Sequence, residues 1–222
     1  MLKVRYFQLE LPIDIRGLAG RISRVVGSNS NHQIKITQVM DNDIVSSYRV
    51  NRLILIRKFL EDGSTVVESA STTDQHVIRI FRKREKTYLS IIDPPRGAKV
   101  VSEYLNCILN GEEYFIEPVE ITALIIERHV NRFDSSKLVS AKIRDFEVYE
   151  GAVGRLEIAS QAGLIPTIAP FLENKFHRID SLTYEVTRNF NQGLICYLRN
   201  GTIKVSAPLV EQAFPLFEEC LG

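Results

Sequence analysis

The chain has 222 residues, 45% apolar and 25% charged, with 12 Gly, 8 Pro and no Trp. This is the composition of a globular protein and excludes a disordered or low-complexity chain. The net charge of +1 hides an asymmetry: residues 1–111 hold 17 Lys and Arg against 11 Asp and Glu, and residues 112–222 hold 11 against 16, so the halves stand at +6 and −5. A basic half can attract phosphate backbones, and the opposite halves can also attract each other within or between chains.

In chain order, residues 3–11 predict a strand ended by Pro12. Asp14 then predicts the N-cap of a helix over 15–26, with Ile15, Leu18, Ala19, Ile22 and Val25/Val26 on one face, Arg16, Arg21 and Arg24 on its edge, and Gly27 as the stop. Strands are expected over 33–40, 45–56, 65–71, 76–82 and 87–92, with turns at Asp41-Asn42-Asp43 and Glu61-Asp62-Gly63-Ser64. After Pro94-Pro95, Val101, Tyr104, Leu105 and Ile108 recur at helical spacing, and Asn110-Gly111 ends that helix. Strands resume over 114–128, 138–149 and 153–159, and a helical stretch over 167–176 follows a loop. Strands over 182–188, 194–199 and 202–206, with a type I′ turn at Asn200-Gly201, lead through Pro208 into a last helix over 209–221, which Pro215 should kink or divide.

This pattern predicts an α+β fold of antiparallel sheets with few helices. Two hairpin–proline–helix passages suggest two related lobes, a basic one over 1–111 and an acidic one over 112–222, or else one continuous domain. At an offset of 113, Pro95 matches Pro208, Tyr104 matches Phe217 and Cys107 matches Cys220. At the level of layout this resembles two-lobed proteins of the TATA-binding type or ferredoxin-like pairs, a resemblance that implies fold alone.

The candidate functional residues come from resolving the hairpins into faces. With Lys83-Arg84-Glu85-Lys86 as loop, alternation puts Ile78, Ile80, Leu89 and Ile91 on one face and Arg79, Phe81, Lys83, Tyr88 and Ser90 on the other. Rings stack on bases and cations meet phosphates, so Arg79, Phe81, Arg82, Lys83, Arg84, Lys86 and Tyr88 form the expected nucleic-acid contact. With Asn200-Gly201 as a two-residue turn, Tyr197, Arg199, Thr202 and Lys204 share a second such face, opposite Cys196, Leu198, Ile203 and Val205. Gly17-Leu18-Ala19-Gly20 has Gly-x-x-Gly spacing, but its apolar centre favours close packing of helix on sheet over a phosphate clamp.

Catalytic signatures are scarce. Asp74 with His76 and Glu127 with His129 place a carboxylate two residues from an imidazole, a spacing that on a strand orients a general base. Asp41/Asp43 and Glu112/Glu113 read as turn residues, and Cys107, Cys196 and Cys220 lack metal or disulfide spacing, so neither a metal nor a cofactor is expected. The start of the chain lacks the pattern of a secretory leader and no apolar run reaches about 20 residues, which predicts a cytoplasmic protein without membrane contact. The expectation is thus a non-enzymatic protein that contacts nucleic acid through its basic half. One alternative is a protein-interaction or homo-oligomerising subunit, such as one of a prokaryotic defence or toxin–antitoxin-like assembly. The other is a metal-independent enzyme acting on nucleic acid.

Overall fold

The computed structural model describes residues 1–25, 31–149, 152–164 and 177–222. The helix expected over 167–176 and the Gly27 stop lie outside them. Among the described residues the architecture is α+β and dominated by antiparallel strands, and no helix is long and apolar enough to cross a membrane. The chain divides into two compact units, a smaller one of Leu9–Arg82 and Thr87–Phe115 and a larger one of Met1–Gln8, Lys83–Lys86 and Ile116–Gly222.

The smaller unit holds α1 (Ile15–Val25), β2 (His32–Met40), β3 (Asp43–Phe59), β4 (Thr65–Lys83), β5 (Lys86–Ile92) and α2 (Lys99–Leu109), with strand order β2-β3-β4-β5. Asp14 caps α1 as its sequence predicts, Oδ1 accepting from the Gly17 N–H at 2.7 Å. One face of β3 and β4 pairs Ile44 with Ile80 and Ser46 with Ile78 across the strands, and all four are buried. Leu18 and Ile22 of α1 and Tyr104, Leu105 and Ile108 of α2 complete this core. A polar tie within it is the 2.8 Å hydrogen bond between Ser46 Oγ and Tyr104 Oη, fully removed from water. Asn110, in the left-handed conformation at φ 51°, ends α2 as expected.

The larger unit orders β1 (Leu2–Glu10), β11 (Thr202–Val205), β10 (Asn191–Leu198), β9 (Arg178–Arg188), β7 (Ser135–Tyr149) and β8 (Ala152–Ala159) in one antiparallel path, with β6 (Phe115–Pro118) also beside β1. Its helices are α3 (Ala123–Val130) and α4 (Val210–Glu219), the latter preceded by a 3₁₀ turn at Ala207–Leu209 and running through Pro215 without division. The strand expected over 114–128 is therefore β6 followed by a helix. Thr122 accepts from the Ile125 N–H at 3.3 Å, and Ile126, His129 and Val130, at i, i+3 and i+4, are the buried positions. The β-branched Ile121, Thr122, Ile125 and Ile126 masked that period.

His129 is the centre of this unit's core. Its Nε2–H donates to the Ala213 carbonyl at 2.9 Å, and its Nδ1 accepts from the Tyr197 hydroxyl at 2.6 Å. The imidazole thereby ties α3 to α4 and β10, with the rings of Phe133 and Phe217 at 5.3 and 5.5 Å. Burial is the main cause that pushes its pKa down to about 4, so it is neutral and has both ring nitrogens satisfied.

Candidate functional site

The β4–β5 hairpin keeps the expected side-by-side placement of Phe81 and Tyr88, whose rings stack with centroids 5.6 Å apart. The expectation that they face outward is overturned: Phe81 is 4% and Tyr88 3% exposed. Alternation distinguishes two faces but not which of them meets water, and this hairpin is covered on both, with Ile78, Ile80, Leu89 and Ile91 buried as well. No base can stack on either ring in this fold. Arg79, half-buried, lies 4.8 Å over the Phe81 ring and donates from Nε to Asp43 Oδ2 at 2.7 Å, which gives it a structural counter-ion. Arg82, Arg84 and Lys86 are exposed and Lys83 is partly so, on a tight turn whose Arg84 stands at φ 55°.

The last hairpin corrects the second candidate face by one residue. Leu198 stands opposite Thr202, Tyr197 opposite Ile203 and Cys196 opposite Lys204. The loop is thus the three residues Arg199-Asn200-Gly201 rather than a two-residue type I′ turn, with Gly201 alone at positive φ, 79°. A Cβ at Gly201 would stand 2.6 Å from the Tyr6 carbonyl oxygen, so the glycine is required there. A slip of one residue exchanges the faces. Tyr197, 2% exposed, lies inside with Ile195, Ile203 and Val205, while Lys204 points the other way with Cys196. Arg199 and Lys204, with Lys142 and Arg144, line an open cleft of about 790 Å³ in which they face Glu117, Glu120 and Asp180.

The α1 edge is largely neutralised. Arg21 pairs with Glu112 at 2.8 Å and Arg16 with Asp41 at 3.2 Å, leaving Arg24 exposed in the last turn. Gly17 and Gly20 are exposed, so neither serves close packing of helix on sheet. The imidazole pairs do not form bases either. Glu127 and His129 are on a helix, where two residues apart means different faces, and His129 is committed to the core. His76, its pKa lowered mainly by burial, sits with Asp74 and Arg52 where Arg52 bridges Asp74 at 3.4 Å and Glu103 of α2 at 3.1 Å. The nearby Cys107 thiol is pushed up, chiefly by burial, which works against a nucleophilic thiolate. Among the described residues no three His, Cys, Asp or Glu side chains converge on a metal position.

A feature that the sequence reading passed over is the outer half of the β3–β4 hairpin. β2 pairs with β3 only as far as Val50, whereas β3 and β4 stay paired from Asn51 opposite Thr73 to Phe59 opposite Thr65. Residues 52–59 and 65–72 form a two-stranded ribbon about 26 Å long, at ~3.3 Å per residue. Its root is fastened by the Arg52–Glu103 and Arg52–Asp74 bridges. Beyond the root, one face carries Leu53, Leu55, Phe59 and Val67 and the other Ile54, Ile56 and Val66. All seven are exposed, with Leu53 at 72%, Leu55 at 66% and Phe59 at 80%. An unbroken Leu-Ile-Leu-Ile run reads as a buried strand. The contrary signal was its partner, Ser69-Ala70-Ser71-Thr72-Thr73, whose small and hydroxyl side chains cannot build a core on either face.

No protein-family model and no curated protein sequence matches this chain.

Proposed function

We propose that this protein is a non-enzymatic assembly subunit that joins a second copy of itself through the β3–β4 ribbon. The observation that carries this reading is a ribbon apolar on both faces and, among the described residues, unpaired at both edges. A lone two-stranded hairpin is marginal in water, and a long apolar edge is a template for another chain. Counting Leu60, eight large apolar side chains are bared over roughly half of their surface. Over both faces together they offer on the order of 700 Å² per copy, where a standard stable interface buries ~800 Å² per partner.

Charge favours the same chain as occupant. Over residues 52–73, Arg57, Lys58 and Arg52 balance Glu61, Asp62 and Glu68, so the ribbon is neutral and attracts neither a polyanion nor a polycation. In a two-fold antiparallel docking a single patch serves both copies. The hairpin–proline–helix passages fit related lobes, since Tyr104 and Phe217, 113 residues apart, are both fully buried. Nucleic-acid contact by stacking loses its support with the burial of Phe81, Tyr88 and Tyr197.

Sedimentation velocity over a range of concentrations tests the reading. The wild type should sediment as a dimer and Leu55→Asp/Phe59→Asp as a folded monomer, because both residues are exposed and their replacement leaves the core intact. A monomeric wild type at every concentration, or a double variant that dimerises equally well, overturns the proposal. A wild type that stays monomeric yet binds lipid vesicles would reassign the ribbon to a membrane.

A further inference from the structure

A second surface, independent of the ribbon, gathers arginines about one cleft of the larger unit. The cleft measures about 610 Å³ and is lined by Arg84, Arg128, Asn131, Arg132, Glu219 and Cys220. That volume lies within the range of small-ligand sites, ~300–1,000 Å³. Its arginines come from two elements. Arg128 is in the last turn of α3 and Arg132 is in the turn that follows it, and both are exposed. The backbone beneath them is held, since the Arg132 N–H donates to the His129 carbonyl at 3.0 Å and Arg188 donates to the Arg132 carbonyl at 2.6 Å.

Arg84 reaches the cleft from the β4–β5 turn, where it donates to the Gly222 carbonyl oxygen. The turn itself does not ask for arginine. A φ of 55° is easiest for Gly or Asn, and a long side chain there costs about 1 kcal/mol. Elsewhere the described arginines are commonly matched to carboxylates, as in Arg16–Asp41, Arg21–Glu112, Arg52–Glu103, Arg79–Asp43 and Arg178–Asp145. No described Asp or Glu side chain pairs with Arg84, Arg128 or Arg132, and Glu219, the one acidic side chain on the cleft, leaves the lining with net positive charge. Burial raises the Cys220 thiol while Arg132 and Arg128 pull it down, so their field reaches the cleft wall.

Three guanidinium forks around one cavity suit a compact dianion with three equivalent oxygens better than a single carboxylate or a string of singly charged diesters. We propose that this cleft binds a phosphomonoester dianion, with Arg84 approaching from the β4–β5 turn and Arg128 and Arg132 from the end of α3 and the turn after it. The group arrives either on a free nucleotide-sized molecule or as the 5′-phosphate end of a nucleic-acid strand. Asn131 adds an amide donor, and Glu219 opposes the anion.

Isothermal titration calorimetry with inorganic phosphate, a nucleoside 5′-monophosphate, and one short oligonucleotide with either a 5′-phosphate or a 5′-hydroxyl tests this. The phosphate-bearing probes should bind with an affinity that falls as salt rises, and the 5′-hydroxyl strand should not bind. Tighter binding by the free nucleotide or by the phosphorylated strand identifies the source. Arg84→Gln should weaken binding about tenfold, the loss of one charge-assisted hydrogen bond. Arg128→Gln/Arg132→Gln should abolish it, and Glu219→Gln should strengthen it. These exposed substitutions should leave the unfolding temperature near that of the wild type, which separates loss of binding from loss of fold. The proposal is overturned if no phosphate-bearing probe binds, if the double arginine variant binds as the wild type does, or if the 5′-hydroxyl strand binds as tightly as the phosphorylated one.

Discussion

Acidification places a proton demand on His129 that the folded chain resists. The imidazole is buried between α3, α4 and β10; Nε2–H is held by the Ala213 carbonyl and Nδ1 by the Tyr197 hydroxyl, with the Arg188 charge adding to the cost of protonation. Its pKa falls from the ordinary 6.5 to about 4, chiefly through burial. The unfolded chain therefore takes up a proton as pH drops through about 6.5, and the folded chain does so only near 4. The stabilisation is complete above about 6.5, declines at ~1.4 kcal/mol per pH unit, and is gone below about 4, a total of roughly 3 kcal/mol. Urea unfolding at a series of pH values, for the wild type and for His129→Gln, measures it. The difference between the two stabilities should shrink by about that total across the window, and the His129 ring resonances of the native protein should titrate near 4. A native midpoint close to 6.5, or a stability difference that does not change with pH, refutes the reasoning.

Other substitutions separate core from surface. Phe81→Ala and Tyr88→Ala should each lower stability by about 3–5 kcal/mol in chemical denaturation, as deletions of buried rings, whereas solvent-exposed platform residues would cost little. Gly201→Ala should cost roughly 1–3 kcal/mol, because it combines a positive φ with a Cβ 2.6 Å from the Tyr6 carbonyl; a stability equal to wild type would contradict the three-residue loop. Tyr104→Phe should cost about 1 kcal/mol by leaving Ser46 Oγ with only its 3.3 Å bond to the Ile78 carbonyl.

Local chemistry made much of the fold legible. The Asp14 cap, the Asn110 stop and the apolar stripe of α2 depend on neighbouring residues alone, and they fall where periodicity places them. Two failures have local causes as well: Ile-rich β-branching disguised α3, and an Asn-Gly pair suggested a turn one residue shorter than the loop that forms. The candidate site was harder to read because it depends on coverage. Phe81 and Tyr88 were paired as expected, but only the assembled unit decides that both faces of their hairpin are dry. The ribbon inverts the error, since a run with a core-like pattern outlasts the strand that would shelter it. The arginine cleft joins a turn to a helix end more than forty residues away in sequence, and the strand-like pattern of α3 hides that juxtaposition.

Hydrogen exchange at two protein concentrations tests the role of the ribbon most directly. If two copies dock there, the amides of residues 52–59 and 65–72 should exchange slowly at high concentration and much faster on dilution, while the amides of β10 and β11 keep their protection. Ribbon amides that exchange equally fast at both concentrations would contradict self-assembly through this hairpin.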